Sequence, residues 1–278
     1  MVVLLIVATS SGSGTSSSGP AASPRGNQSA TSHSSKRKTT AHSSTGSEPA
    51  ATTVDTRGID RVLAYTPFIK GGIPRHRVIA LTFDDGPSPY TDQIVRILSR
   101  MHATATFFIV GQQLNDFAAR LRDELRQGFA VGDHTENHAY LTRLSTTGQY
   151  KQLHDAAVRL ARLGAPFPRL FRPPYGAYNS GTLAVTKRLK MLMTLWSVDT
   201  RDWTRPGTAM IVSRAVAAAR PGAVVLMHDG GGNRSETVAA LPAIINALRR
   251  RHYDLVTVPQ LLRLDPPPRG QQLPHVSE

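Results

Sequence analysis

Residues 77–90 read RVIALTFDDGPSPY. The run from Val78 to Phe83 is apolar and β-branched enough for a strand buried on both faces, and Gly86-Pro87 ends it in a turn. Two adjacent carboxylates, Asp84 and Asp85, stand where the strand meets the turn. Like charges that close repel, and burial raises the cost. A cation or a shared chemical task would offset it; a solvated Asp-Gly turn is the plain alternative.

The same arrangement recurs downstream. Strands are expected at 105–111 (ATFFIVG), 129–135 (FAVGDHT), 169–176 (RLFRPPYG), 191–199 (MLMTLWSVD), 223–229 (AVVLMHD) and 254–258 (DLVTV). Between them lie amphipathic segments with helical spacing at 91–101, 115–128, 146–164, 179–190, 207–220 and 236–251, and PQLLRL (259–264) reads as a last short helix. On the first helix Ile94, Ile97, Leu98 and Met101 share one face. About seven β-α units in succession imply an α/β fold with a parallel sheet and helices outside it. The polar clusters decide its form. Asp84-Asp85, His134 with His138, Arg172 with Tyr175, Asp199 to Trp203, and His228-Asp229 all follow the carboxyl ends of strands. Side chains there converge on one face of a barrel, whereas an open-sheet crevice collects fewer of them. The expectation is a distorted, incomplete TIM-like (β/α) barrel of about seven strands.

The first 56 residues differ. Residues 1–8 (MVVLLIVA) are an apolar stub, too short to span a bilayer, which needs ~20 residues, and no basic segment precedes it. It is read as the remnant of an export signal or anchor. Residues 9–56 are rich in Ser, Thr, Gly, Ala and Pro and lack large apolar side chains, the composition of a disordered linker. The catalytic domain is placed at 57–265 and a Pro-rich tail at 266–278. This organisation suits a secreted or envelope-associated protein.

The chain has no cysteine, which excludes disulfides, thiolate metal sites and a cysteine nucleophile. The net charge is +14, and only Arg25, Lys36, Arg37 and Lys38, against Glu48 and Asp55, belong to the first 56 residues. A basic domain suits a polyanionic neighbour such as an anionic cell wall. No basic helix with interleaved aromatics, zinc-finger spacing or RNP-like segment points to nucleic acid. A membrane would be reached only through an N-terminal anchor, and a monomer is the simplest assembly.

HTENH (134–138) places two imidazoles at i and i+4, able to meet one ion, and its order differs from the His-Glu-x-x-His of metalloprotease helices. With a carboxylate from another strand end it makes a His-His-Asp set with open positions, the usual form of a hydrolytic zinc site. The acid pair then makes sense: one carboxylate ligates, and the other takes a proton from water. His228 is a candidate general acid. Arg172 is placed to hold the free aspartate ionised.

TFDDGP, HTENH, RPPYG, DTRDW and LMHD, in this order, resemble the five motifs of the polysaccharide deacetylases, the NodB-homology domain of carbohydrate esterase family four, over roughly residues 76 to 262. The resemblance implies a distorted barrel that uses one divalent metal, zinc first and cobalt or nickel as alternatives, to deacetylate N-acetylglucosamine polymers or acetylated xylan. Carried over, Asp84 is the base and Asp85, His134 and His138 the metal ligands. Arg172 orients Asp84, the backbone of Tyr175 serves the oxyanion, and His228 is the acid. Asp202 pairs with His228, with Asp199 as its rival, and Trp203 and Leu226 line the acetyl pocket. Peptidoglycan is the preferred substrate, followed by chitooligosaccharide and acetylxylan. A glycan-binding module without catalysis is the reading from another class.

Overall fold

The computed structural model describes residues 56–273. The stub at 1–8, the linker apart from Thr56, and the last five residues of the C-terminal tail lie outside them.

The elements follow in chain order. Helix α1 (Arg57–Leu63) and strand β1 (Phe68–Ile69) precede β2 (Val78–Asp84), α2 (Thr91–Arg100), β3 (Thr106–Ile109), α3 (Leu114–Arg126) and β4 (Ala130–Asp133). Next come α4 (Thr146–Arg162), β5 (Leu170–Phe171), α5 (Ser180–Leu189), β6 (Leu192–Thr194) and β7 (Val198–Asp199). The last are α6 (Thr208–Ala217), β8 (Ala223–His228), α7 (Ser235–Arg250), β9 (Asp254–Val256) and α8 (Val258–Leu264). Helix starts carry chemical signals. Ser145 accepts from the Gly148 N–H, and Asn179 with Thr182 and Thr257 with Gln260 form capping boxes. The expected apolar face of α2 is buried at Ile94, Ile97 and Leu98, with Met101 packed at its edge.

Among the described residues nine strands form one sheet in the order β1-β6-β5-β4-β3-β2-β8-β7, with β9 paired to the first half of β2, and all these pairings are parallel. The count exceeds the expected seven for two reasons. Residues 191–199 form two strands instead of one, and β1 was not foreseen. β6 and β7 stand six places apart in the sheet, which would be roughly 29 Å if it were flat. Only Leu195, Trp196 and Ser197 separate them in the chain, a reach of at most about 14 Å. The sheet therefore has to curl into an incomplete barrel.

The seam is closed where the chain leaving β1 meets β8. Gly71 bridges Ala223, and the Gly72 N–H donates to the Gly222 carbonyl at 2.8 Å. Side chains are excluded there, because a Cβ on Gly222, whose φ is +78°, would lie 2.4 Å from the Gly72 carbonyl oxygen.

Every residue of β2 is buried, and its period of two sorts them. Ile79, Leu81 and Phe83 pack outward against α2, α3, α6 and α7 in the larger core. Val78 and Ala80 face inward with Phe108, Leu192 and Val224, and α1 and α8 plug the amino end of the barrel with Ile59, Val62, Leu261 and Leu262. Thr82 and Asp84 continue the inward row toward the carboxyl end.

Candidate active site

A cavity of about 590 Å³ opens at the carboxyl ends of the strands, lined by Asp84, Asp85, His134, His138 and His228 among others. Strand register sets its floor: Asp84, the last residue of β2, is paired with His228, the last of β8. The chain then turns sharply at Asp85, whose φ is +73°. After β4 the Asp133 carboxylate accepts from the Thr135 N–H at 2.7 Å, an Asx turn that sends His134 and His138 into the cavity mouth.

Arg172, just past β5, is fully buried. Its Nη1 donates to Asp84 Oδ1 at 2.7 Å and to Thr82 Oγ1 at 2.9 Å, Nε donates to the Thr194 carbonyl at 2.9 Å, and the guanidinium lies 4.1 Å over the Phe108 ring. Burial draws its pKa down and the Asp84 charge opposes this. The pair is thus a buried ion pair whose guanidinium also donates to neutral acceptors, the form in which such pairs are tolerated.

Asp85, His134 and His138 form the cluster. Asp85 Oδ1 is 3.3 Å from His134 Nε2 and 3.2 Å from His138 Nε2. The three ligand atoms lie within 4.8 Å of one another, and among the described residues this is the one such group of His, Cys, Asp or Glu. Oδ1 is buried and has no hydrogen-bond partner. His134 Nδ1 faces the Arg172 carbonyl at 2.7 Å and donates to it, so its Nε2 lone pair points at Asp85. A buried oxygen without a proton to accept, between two ring nitrogens of which one is fixed as an acceptor, suits a cation. Burial opposes ionisation of Asp85, but the two imidazoles outweigh it and hold the carboxyl well below its usual range. Burial also disfavours a charged His134, yet the Asp84 and Asp85 carboxylates raise its pKa. A divalent ion would compete with the proton that the two carboxylates draw to His134. Asp84 lies beside the trio and outside it, with Oδ2 3.7 Å from His134 Nε2.

Across the cavity, His228 Nδ1 is 2.7 Å from Asp202 Oδ1, and its backbone N–H donates to Asp202 Oδ2 at 2.8 Å. The Thr237 hydroxyl donates to the same oxygen at 2.7 Å. Burial lowers the pKa of His228, but the hydrogen bond and charge of Asp202, with help from Asp84 and Asp85, push it up to about 9. The rival Asp199 is exposed and accepts from the Arg201 N–H at 2.8 Å. Arg201, at φ +52°, turns the chain so that Asp202 and not Asp199 reaches the imidazole.

Tyr175 sits at φ +60°, its ring 64% exposed and 4.7 Å from that of His138. Trp203, also exposed, and the buried Leu226 line the cavity. Two acids escaped the sequence reading as site residues. Asp133 forms the turn before the histidines. Asp229, fully buried, accepts from the Thr91 hydroxyl, while its N–H donates to the Asp84 carbonyl at 3.0 Å and its carbonyl accepts from Ser88 Oγ. Burial pushes its pKa up to about 7, and it braces the turn that carries Asp84 and Asp85. Its adjacency to His228 at a strand end was the available signal. Gly231, at φ +70°, lets the loop after β8 approach this turn; a Cβ there would lie 2.3 Å from Asp85 Oδ2.

Known proteins agree with this geometry. Residues 71–194 match the family model described as "Polysaccharide deacetylase". A peptidoglycan-N-acetylglucosamine deacetylase of Bacillus cereus is 38% identical over 205 residues, 72% of this chain and 96% of that protein. A chitooligosaccharide deacetylase of Bradyrhizobium is 36% identical over 208 residues, 69% of this chain and 93% of that one. The crystal structure of the Bc1960 peptidoglycan N-acetylglucosamine deacetylase superposes with a TM-score of 0.69 at 29% identity, covering 72% of this chain and 94% of the other. A conserved-length match of this kind, over a curled parallel barrel with an Asp-His-His cluster at its carboxyl end, places the chain in the polysaccharide deacetylase family.

Proposed function

We propose that this chain hydrolyses the N-acetyl groups of an N-acetylglucosamine-containing polysaccharide, with peptidoglycan as the preferred substrate. One observation carries the reading. Asp84 stands next to a metal-type trio without joining it, ion-paired to Arg172, with the protonatable His228 across the cavity. Binding alone needs no base, so a non-catalytic glycan-binding module leaves Asp84 and His228 without a task.

Asp85, His134 and His138 would hold the ion, and zinc suits one carboxylate and two imidazoles. When bound, it supplies Lewis-acid polarisation and eases ionisation of water. The residues do the rest. Arg172 holds Asp84 by their ion pair, and Asp84 takes a proton from the attacking water. The water oxygen bonds to the acetyl carbon, and the Tyr175 backbone N–H donates to the developing oxyanion. As the carbon–nitrogen bond breaks, His228 gives its proton to the departing amine, leaving acetate and a glucosamine unit. Asp202 holds the His228 ring by Nδ1, so Nε2 is the donor. Leu226 and Trp203 shape the space for the acetyl methyl.

Peptidoglycan is preferred because the chain carries +14 and begins with an apolar stub and a long polar segment, which suits a protein working against an anionic wall. We accordingly place it outside the cytoplasm, secreted or at the envelope. Among the described residues no helix is long and apolar enough to cross a membrane. Chitooligosaccharide is the second reading, favoured by the Bradyrhizobium relative. The test is acetate release from peptidoglycan, N-acetylglucosamine oligomers and acetylxylan side by side, with and without a chelator. Chelator-sensitive release, greatest on peptidoglycan, is expected. Glycan binding without acetate would overturn the enzymatic reading.

A further inference from the structure

A line of aromatic rings leads out of the cavity on the metal side. The His138 ring meets Tyr175 edge-on at 4.7 Å, Tyr175 stacks on Tyr140 at 5.2 Å with 26° between the planes, and the Arg143 guanidinium lies 4.7 Å from the Tyr140 ring. The platform has a firm base. Leu141 is fully buried, the Arg143 N–H donates to the Tyr140 carbonyl at 3.1 Å, and the Leu144 N–H to that of Leu141 at 2.9 Å. Arg143 is exposed and, among the described residues, has no acidic partner. An exposed arginine is ordinary surface by itself. Continuity distinguishes this one: Arg188 over Tyr150 and Arg269 over Tyr65 join no ring that lines the cavity, whereas Arg143 is linked to it through Tyr140 and Tyr175.

We infer that Tyr175, Tyr140 and Arg143 border a subsite for the sugar next to the one being deacetylated, with the pile of rings carrying the guanidinium out from the cavity and Arg143 pairing with a carboxylate on that neighbour. This rests on the deacetylase reading above. Tyr175 lines the cavity, and the guanidinium stands two contacts further out, with 5.2 Å from Tyr175 to Tyr140 and 4.7 Å from Tyr140 to the guanidinium, so it is offered to a neighbouring sugar and not to the reacting one. A planar fork matches a carboxylate with two parallel hydrogen bonds. A chitin oligomer has no carboxylate. A peptidoglycan strand has one on the lactyl ether of muramic acid when the stem peptide is absent, and others in the stem peptide when it is present. The subsite therefore makes the enzyme prefer a carboxylated glycan over a neutral one.

The test measures kcat/KM for acetate release by the zinc-loaded full chain. Its substrates are a neutral N-acetylglucosamine oligomer, glycan strands stripped of stem peptides, and strands that keep them. Arg143→Gln should lower the ratio of carboxylated to neutral kcat/KM about fivefold at low salt, the scale of an exposed ion pair. The drop should vanish at roughly 0.5 M salt, where the screening length is a few ångström. Arg188→Gln, the control, should leave the ratio unmoved. A drop on stripped strands assigns the lactyl carboxylate; one confined to peptide-bearing strands assigns the stem peptide. An active wild type whose ratio Arg143→Gln does not move overturns the subsite alone. A wild type that releases no acetate from any of the three overturns the deacetylase reading and the subsite with it.

Discussion

Replacing Asp202 by Asn removes one charge and one acceptor from beneath His228 at almost constant volume. Asp202 Oδ2 receives the His228 backbone N–H at 2.8 Å and the Thr237 hydroxyl at 2.7 Å, while Oδ1 faces His228 Nδ1 at 2.7 Å. Asn has a single oxygen. The backbone N–H cannot turn away, so that oxygen takes the Oδ2 position and the amide NH2 points at Nδ1. Nδ1 then has to accept, which leaves a neutral ring with its proton on Nε2, a poor acid. The wild-type imidazole has a pKa raised from 6.5 to about 9, and Asp202 is the largest influence opposing burial. That difference corresponds to about 3 kcal/mol of preference for the charged form. Without Asp202, burial brings the pKa to or below its ordinary value, and a bound cation that offsets Asp85 lowers it further.

The assay is kcat/KM for acetate release from an N-acetylglucosamine oligomer by zinc-saturated enzyme between about pH 5.5 and 10. The alkaline limb should move down by about two pH units in Asp202→Asn, and activity at pH 8 should fall by roughly 10²-fold or less, partly recovering toward pH 6. Stability should follow with a defined sign. A His whose folded pKa is raised stabilises the fold fully below its unfolded value, and that contribution disappears as pH rises from 6.5 toward about 9. The wild-type Tm should fall across that window more steeply than that of Asp202→Asn. A variant whose alkaline limb stays within about half a pH unit of wild type would refute the assignment of His228 as the acid poised by Asp202.

The other expectations follow from the same contacts. Asp84→Asn should reduce kcat by about 10²–10⁴-fold while calorimetry shows zinc still binding; unchanged turnover would remove Asp84 as the base. The same variant leaves the Arg172 charge buried without its partner, so denaturant melts should show a loss of about 3 kcal/mol or more. His138→Ala should abolish both zinc binding and the rise in Tm on adding zinc, and a variant that still binds zinc with wild-type affinity would remove His138 from the ligand set. Gly231→Ala would set a methyl 2.3 Å from Asp85 Oδ2 on a backbone at φ +70°, and should weaken zinc binding, read by calorimetry, by about tenfold.

The elements, and the residues that the fold gathers at the cavity, were legible because each rests on local chemistry: apolar runs ended by Gly or Pro, helical apolar spacing, and polar residues at strand ends. What was missed depends on closure of the barrel. Residues 191–199 read as one strand, since nothing in MLMTLWSVD marks Leu195–Ser197 as the span where the chain leaves β5 and β1 for β8. Asp199 and Asp202 were rivals for the same reason. Three residues apart at the end of β7, they are separated by the left-handed turn at Arg201, a conformation that an arginine does not advertise. Tyr140 carries no signal in the sequence because its value lies in the ring it stacks on, 35 residues away at Tyr175.

β2 shows why a strand buried on both faces can still announce a site. Its run VIALTFD looks uniformly apolar until Thr82, so the period of two is hidden and only the end of the strand reveals which face is the interior. Thr82 and Asp84 lie on the inward row, and both accept from Arg172. A slip of one residue would turn Asp84 toward the helices, among Phe107 and Ile94, and would bring Phe83 to the guanidinium. The buried charge pair is thus satisfied in one register only. The same bond that orients Asp84 also fixes β2 against its neighbours, which ties the chemistry at the top of the barrel to the packing below it.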